Sequence, residues 1–227
     1  MSATSVDEFD RQRDRLIALG YPQLAGQSTT KFLAQLEPLR VIAHDLATDV
    51  RAEGHVPFAI VVRSVDPEKL VPLLHLAGRT EPGILDRNHG EAGLAPYQPL
   101  PHLGVPDARA YLLVDIERGE EFCGVRPGDA VATITRRGRQ PLTIHEGIAL
   151  VTLFPEILQP NKCMMLAGSR RGDRRVPAVW ISMNAPKLGW CWEGNPHTWL
   201  GTASAVARLG PERAAAMARG GSRVRAS

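Results

Sequence analysis

A chain of 227 residues with 44% hydrophobic and 22% charged side chains has an ordinary globular composition, long enough to bury a core without metals or disulfides. Its three cysteines, Cys123, Cys163 and Cys191, lack CxxC spacing, which argues against a secreted disulfide framework and a structural zinc site. The charged start MSATSVDEFDRQRDR is unlike a signal peptide, and no run approaches the roughly 18 apolar residues of a membrane span, so the chain reads as soluble and cytoplasmic.

In chain order, the N-terminus reads as helix, with Ser5 and Glu8 at capping-box spacing, Phe9, Leu16 and Ile17 on one face, and Gly20 as a stop. Pro22 blocks continuation. A second helix is expected from Thr30, with Pro38 interrupting it or opening another. PFAIVVR (57–63) is strand-like. Asp66-Pro67-Glu68 is a helix start that would bury Leu70, Leu73 and Leu74 before Gly78. Residues 78–107 are rich in proline and glycine and lack periodicity, and long irregular segments of this kind often carry function. Even so, His89 and His102 within it read by default as solvated loop histidines.

YLLVDI (111–116) is the best strand signal, and Glu117-Arg118-Gly119 is expected to turn it into a hairpin with EFCGV. A helix follows Pro127, and Thr143 with Glu146 makes a capping box for IHEGIALVTLF. CMMLAG (163–168) and VPAVWIS (176–182) read as strands joined by SRRGDRR. The pattern predicts one α+β domain over residues 1–210, with a largely antiparallel sheet and a helical N-terminal part. Residues 211–227 read as a C-terminal tail, a short helix and then disorder.

Net charge is +3 but uneven, −5 over residues 1–120 and +8 over 121–227. Arginines cluster at 136, 137 and 139, at 170, 171, 174 and 175, and at 213, 219, 223 and 225. Only four of the 27 basic residues are lysine, a bias that fits a GC-rich genome as well as an anionic partner. Without a nucleic-acid motif or aromatics alternating with the arginines along the chain, nucleic acid is disfavoured and the arginines are expected to be mostly solvated.

No high-specificity catalytic or cofactor motif occurs. GxSxG, HExxH, Walker and GxGxxG arrangements are all missing, so no metal and no cofactor is expected. Cys191, between two tryptophans, reads as an inert thiol with a raised pKa. Glu117, Glu120 and Glu121 read as a solvated rim.

The most concentrated signal is aromatic. All four tryptophans fall between Trp180 and Trp199, and only eight other residues are Phe or Tyr. With Arg174, Arg175, Lys187, Asn195 and His197 they form the candidate constellation: Trp180, Trp190, Trp192 and Trp199 as apolar walls, the polar groups as rim. Strand alternation puts Val176, Ala178 and Trp180 on one side and Pro177, Val179 and Ile181 on the other, with Trp190 and Trp192 sharing a face. The competing interpretation is that the indoles close the core of a small sheet.

YLLVDIERGEEF, VRPGDAVATITRRGRQPLTIHEGIALVTLFP, GSRRGDRRVPAVWIS and APKLGWCWEGNPHTWLGTAS resemble an uncharacterised domain-of-unknown-function family of small cytosolic proteins from high-GC actinobacteria. The likeness covers roughly residues 5–210. It implies a small single-domain protein and no particular reaction, ligand or catalytic residue.

Three functional classes follow, in this order. The first is a module binding a small molecule or protein through the tryptophan surface. The second is an enzyme of unrecognised type with His197, Asn195, Asp173 and an arginine around a cleft. The third is a nucleic-acid binder using the basic half. Oligomeric state is not legible.

Overall fold

The computed structural model describes residues 4–221. The cap of helix α1 (Ser5–Ala18) lies one residue earlier than expected: Thr4 accepts from the Asp7 amide and the Asp7 carboxylate accepts from the Thr4 amide, closing the box. Ser5 is instead buried and donates to the His44 carbonyl. Gly20 takes φ +78° and starts the single turn α2 (Tyr21–Leu24). Helix α3 (Thr29–Ala43) runs through Pro38 rather than breaking there.

Strand β1 (His55–Val62) precedes α4 (Pro67–Leu70), capped by Asp66. This helix is shorter than expected, because Pro72 cannot supply an amide and the chain tightens into a 3-10 turn over Val71–Leu73. The irregular segment holds two short strands, β2 (Ile84–Leu85) and β3 (Gln98–Pro99). Next come β4 (Ala110–Glu117), α5 (Pro127–Arg136), β5 (Gln140–Pro141) and α6 (Ile144–Leu153) with the expected Thr143–Glu146 box. The last elements are β6 (Cys163–Met165), β7 (Ser169–Arg170), β8 (Arg175–Ser182), β9 (Ala185–Trp192), β10 (Leu200–Thr202), β11 (Ser204–Leu209) and α7 (Glu212–Gly221). Ala214 and Met217 of α7 pack back onto the core. The disorder expected after this helix falls on residues 222–227, outside the described ones.

One sheet runs β1-β4-β11-β5, all antiparallel; another runs β10-β6-β8-β9-β2, antiparallel at its centre with parallel pairings at both edges. The protein is thus an α+β domain with a helical N-terminal part. The expected hairpin from 111 to 125 does not form: Gly119, at φ +81°, turns into a 3-10 turn over Glu120–Phe122, and β4 pairs with β1 and β11 instead. The two strands read at 163–168 and 176–182, β6 and β8, pair antiparallel. The buried cluster spans both large sheets and their helices, with a satellite of Phe122, Ala130 and Ile134 under α5.

A fully buried ion pair ties three elements together. Glu146 of α6 accepts Arg208 Nε at 2.6 Å and Nη2 at 2.9 Å, Tyr111 Oη at 2.7 Å and the Thr143 amide at 2.7 Å. Both carboxylate oxygens are therefore satisfied, the condition under which a buried charge is tolerated. The clustered arginines are divided: Arg136, Arg137, Arg174 and Arg213 are exposed, as expected, and others are not. Arg118 and Arg208 are buried, and Arg139, Arg170, Arg171 and Arg175 are engaged in ion pairs.

Candidate ligand-binding site

Two-residue connection and strand alternation decide how the indoles are placed. Met183 and Asn184, at φ +50° and +59°, make the left-handed two-residue turn that joins β8 to β9. The resulting register pairs Trp180 with Lys187, Pro177 with Trp190 and Arg175 with Trp192. Cross-strand partners share a face, so Trp180 and Lys187 lie on one side of the hairpin, and Trp190, Trp192 and Arg175 on the other. The four tryptophans are divided two and two, since Trp199 joins Trp180.

On the first face the Trp180 and Trp199 rings meet edge-on at 6.2 Å, and the His197 ring lies 5.4 Å from Trp199. With Pro160, Asn161, Cys163 and Ile181 the two indoles line a cleft of about 470 Å³. Small-ligand sites commonly span about 300–1,000 Å³ with mostly apolar walls and few polar groups. Lys187 Nζ stands 5.8 Å from the Trp180 ring centre and 2.9 Å from Asp86 Oδ2, which fixes the ammonium against the indole. Burial pushes the Cys163 thiol up, so at neutral pH it is a protonated wall and not a nucleophile.

On the second face the Trp190 and Trp192 rings meet at 5.0 Å, and the Arg175 guanidinium sits 4.6 Å over Trp190 and 5.7 Å over Trp192. Trp190 Nε1 donates to the Asn88 carbonyl at 3.1 Å. Trp192 is 45% exposed. Cys191 points between these indoles to the opposite side, where its Sγ lies 3.4 Å from Met165 Sδ; burial pushes this thiol up to about 11, as the sequence implied.

The remaining candidates are scattered. Arg174 and Asn195 are exposed, and the Asn195 amide closes a turn on the Trp192 carbonyl. Among the described residues no hydrogen bond, ion pair or ring contact joins Asp173 or Asn195 to His197.

A different titratable cluster was not legible as a unit. His55, Arg51, Asp115 and Arg139 converge from the start of β1 and the chain just before it, from β4 and from the α5–β5 connection. Asp115 adopts φ +56° in mid-strand, a left-handed conformation that costs a non-glycine residue about 1–3 kcal/mol. Burial works against its ionisation, but hydrogen bonds from Arg139 (3.0 Å) and Arg51 hold the carboxyl below the usual range. Burial, then the Arg51 charge, pushes His55 below the ordinary histidine value although Asp115 Oδ1 lies 3.4 Å away. Clefts of about 410 Å³, reaching Glu117–Glu121, and about 290 Å³, reaching Asp115, flank His55. Glu120 is no solvated rim residue: it pairs with buried Arg118.

Among the described residues, no group of three or more His, Cys, Asp or Glu is placed to hold a metal ion, and no helix is long and apolar enough to cross a membrane. An α+β domain is the class these observations define. The chain matches the model of a family of unknown function, DUF5701, over residues 15–211, and it belongs to that family. No curated protein and no solved structure matches it.

Proposed function

We propose that this protein binds a small, planar, largely apolar molecule in the Trp180–Trp199 cleft and acts as a binding module rather than through chemistry at that cleft. The observation that carries this reading is the lining itself. Two indoles, Pro160 and Ile181 offer apolar surface, Asn161 offers the polar handle, and the one titratable lining group, Cys163, is held protonated. Arg174, Trp190, Trp192 and Asn195 then stand outside the cleft, and His197 and Lys187 brace its indoles. A bacterial, cytoplasmic setting belongs to the same reading, supported by three free cysteines and the arginine-rich composition.

Calorimetric titration with a planar heteroaromatic such as quinoline tests it. Wild type and Trp192→Leu should bind alike, whereas Trp199→Leu should bind at least about tenfold more weakly while still melting cooperatively. Equal binding by all three proteins would remove the cleft from consideration.

A second reading, catalysis at His55, is favoured by one specific observation: the strained Asp115 backbone beside a buried imidazole kept neutral between two clefts. An acid–base activity abolished in His55→Gln but untouched in Trp199→Leu would carry it.

A further inference from the structure

Three segments far apart in sequence meet at the edge of the β8–β9 hairpin. The pairing of β2 with β9, continued by the Asp86 amide donating to the Leu188 carbonyl, brings the ring of His89, in the 3-10 turn Arg87–His89, against the Leu188 backbone. The pairing of β3 with β7 brings Tyr97 beside Arg171. The loop from Arg171 to Arg175 then returns to Trp190 and Trp192. The contacts are continuous: His89 to Tyr97 at 5.5 Å between ring centres, Arg171 to the Tyr97 ring at 5.6 Å, Arg175 to the Trp190 ring at 4.6 Å.

This group holds under-satisfied donors. Arg171 Nη1 and Arg175 Nε are buried without a hydrogen-bond partner, while the buried Tyr97 hydroxyl and His89 ring find only loose ones, in the Arg171 guanidinium and the Leu188 backbone. Buried polar groups are normally paired, because leaving one without a partner costs about 1–3 kcal/mol. The two unpaired guanidinium N–H groups are donors only, and the neighbouring Tyr97 hydroxyl still has a proton to donate while it faces Arg171. What complements them is an acceptor-rich anion. The chain already supplies a stand-in. Asp173 Oδ2 lies 3.3 Å from Arg171 Nε and 3.6 Å from Arg175 Nη1, with Oδ1 anchored by the Arg175 amide at 2.9 Å. At 41% exposure this carboxylate is a screened, weakly held occupant. Trp192 presents an exposed indole next to Arg175, a stacking surface for a planar group.

We propose that the Tyr97–Arg171–Arg175 group is a binding site for a small phosphorylated molecule with a planar ring, the phosphate taking the guanidiniums from Asp173 and the ring stacking on Trp192. Asp173 is then an internal competitor. Arginine is suited to this because its planar fork matches phosphate oxygens. The site is on the opposite face of the hairpin from the Trp180–Trp199 cleft and stands or falls separately from it.

The experiment is a titration of the full chain with inorganic phosphate, adenosine and adenosine 5′-monophosphate at constant ionic strength, followed by calorimetry. Wild type should bind the monophosphate saturably and more tightly than either phosphate or adenosine. Asp173→Asn keeps the turn-forming oxygen but removes the competing charge, and should tighten phosphate and monophosphate binding about fivefold. Arg171→Gln should weaken both by about tenfold or more, and Trp192→Ala should erase the advantage of the monophosphate over phosphate. Because Asp173→Asn gains affinity, loss of folding cannot mimic it. Unchanged affinity in Asp173→Asn, or a monophosphate no tighter than phosphate, would overturn the proposal. So would tighter binding of a single-stranded oligonucleotide with a steep salt dependence, which would make this a nucleic-acid surface.

Discussion

Gly189 and Trp180 hold one another across the β8–β9 ladder: a β-carbon on Gly189 would stand 2.2 Å from Trp180 Cη2. The outer edge of the indole covers a backbone position where only hydrogen fits, and that placement sets one wall of the cleft. Gly189→Ala should therefore fold but push the Trp180 ring aside, with about 1–3 kcal/mol lost to overpacking. Near-ultraviolet circular dichroism should show the changed indole environment, and quinoline binding should weaken in the same protein. An unchanged aromatic spectrum would mean that the ring is not locked.

The buried Glu146–Arg208 pair makes a stability prediction. Glu146→Gln leaves Arg208 buried, hydrogen-bonded and uncompensated, which should cost about 3–5 kcal/mol in urea unfolding. Replacing both residues by methionine should cost less than the two single substitutions added together, because no lone charge is then stranded. A double variant at least as unstable as the sum would show that the pair is not coupled.

The pH dependence has a definite sign. Burial is the largest cause pushing His55, His89 and His145 below the ordinary histidine value of about 6.5. The unfolded chain takes up protons that the folded one refuses, so stability is complete above about pH 7 and falls as pH drops through 6.5 toward the lower folded values. Asp10, Asp86 and Asp115, also held below the usual range, extend the loss on the acid side below about pH 4. Urea midpoints between pH 8 and 5 should decline in wild type and decline less in His145→Gln. A flat profile in wild type would contradict this.

The thiols should differ in access. Cys163 and Cys191 are buried, and Cys123 is partly exposed. An aromatic disulfide reagent should modify Cys123 first in the native protein and reach Cys191 only on unfolding. Rapid labelling of Cys191 in the native state would contradict its packing against Met165.

Local signals were legible where one short stretch decides the outcome. Thr143 with Glu146 marked a helix start, and the β-branched run around Ile60 and the apolar run around Leu113 marked strands, because a cap and a short apolar run need only their own residues. Pairing was not legible. YLLVDIERGEEF has the look of a hairpin, yet β4 finds better partners in β1 and β11, which lie far away in sequence. The division of the tryptophans hinged on the length of one turn. A two-residue connection at Met183–Asn184 pairs residue 180 with 187, and a connection one residue longer would have shifted that register and exchanged the faces. The His55–Asp115–Arg139 cluster carried no sequence signal beyond residue type, since its members come from three separate segments. The irregular stretch from 78 to 107 did announce itself, and it supplies His89, Tyr97 and the carbonyl that holds Trp190.

The central claim, that the Trp180–Trp199 cleft takes a planar ligand, is tested most directly by fluorine NMR of protein labelled with 5-fluorotryptophan. The four tryptophans give four signals, assigned through single Trp→Phe variants. On titration with quinoline, the Trp180 and Trp199 signals should shift saturably while those of Trp190 and Trp192 stay in place. Equal movement of all four signals, or movement confined to Trp190 and Trp192, would contradict the claim.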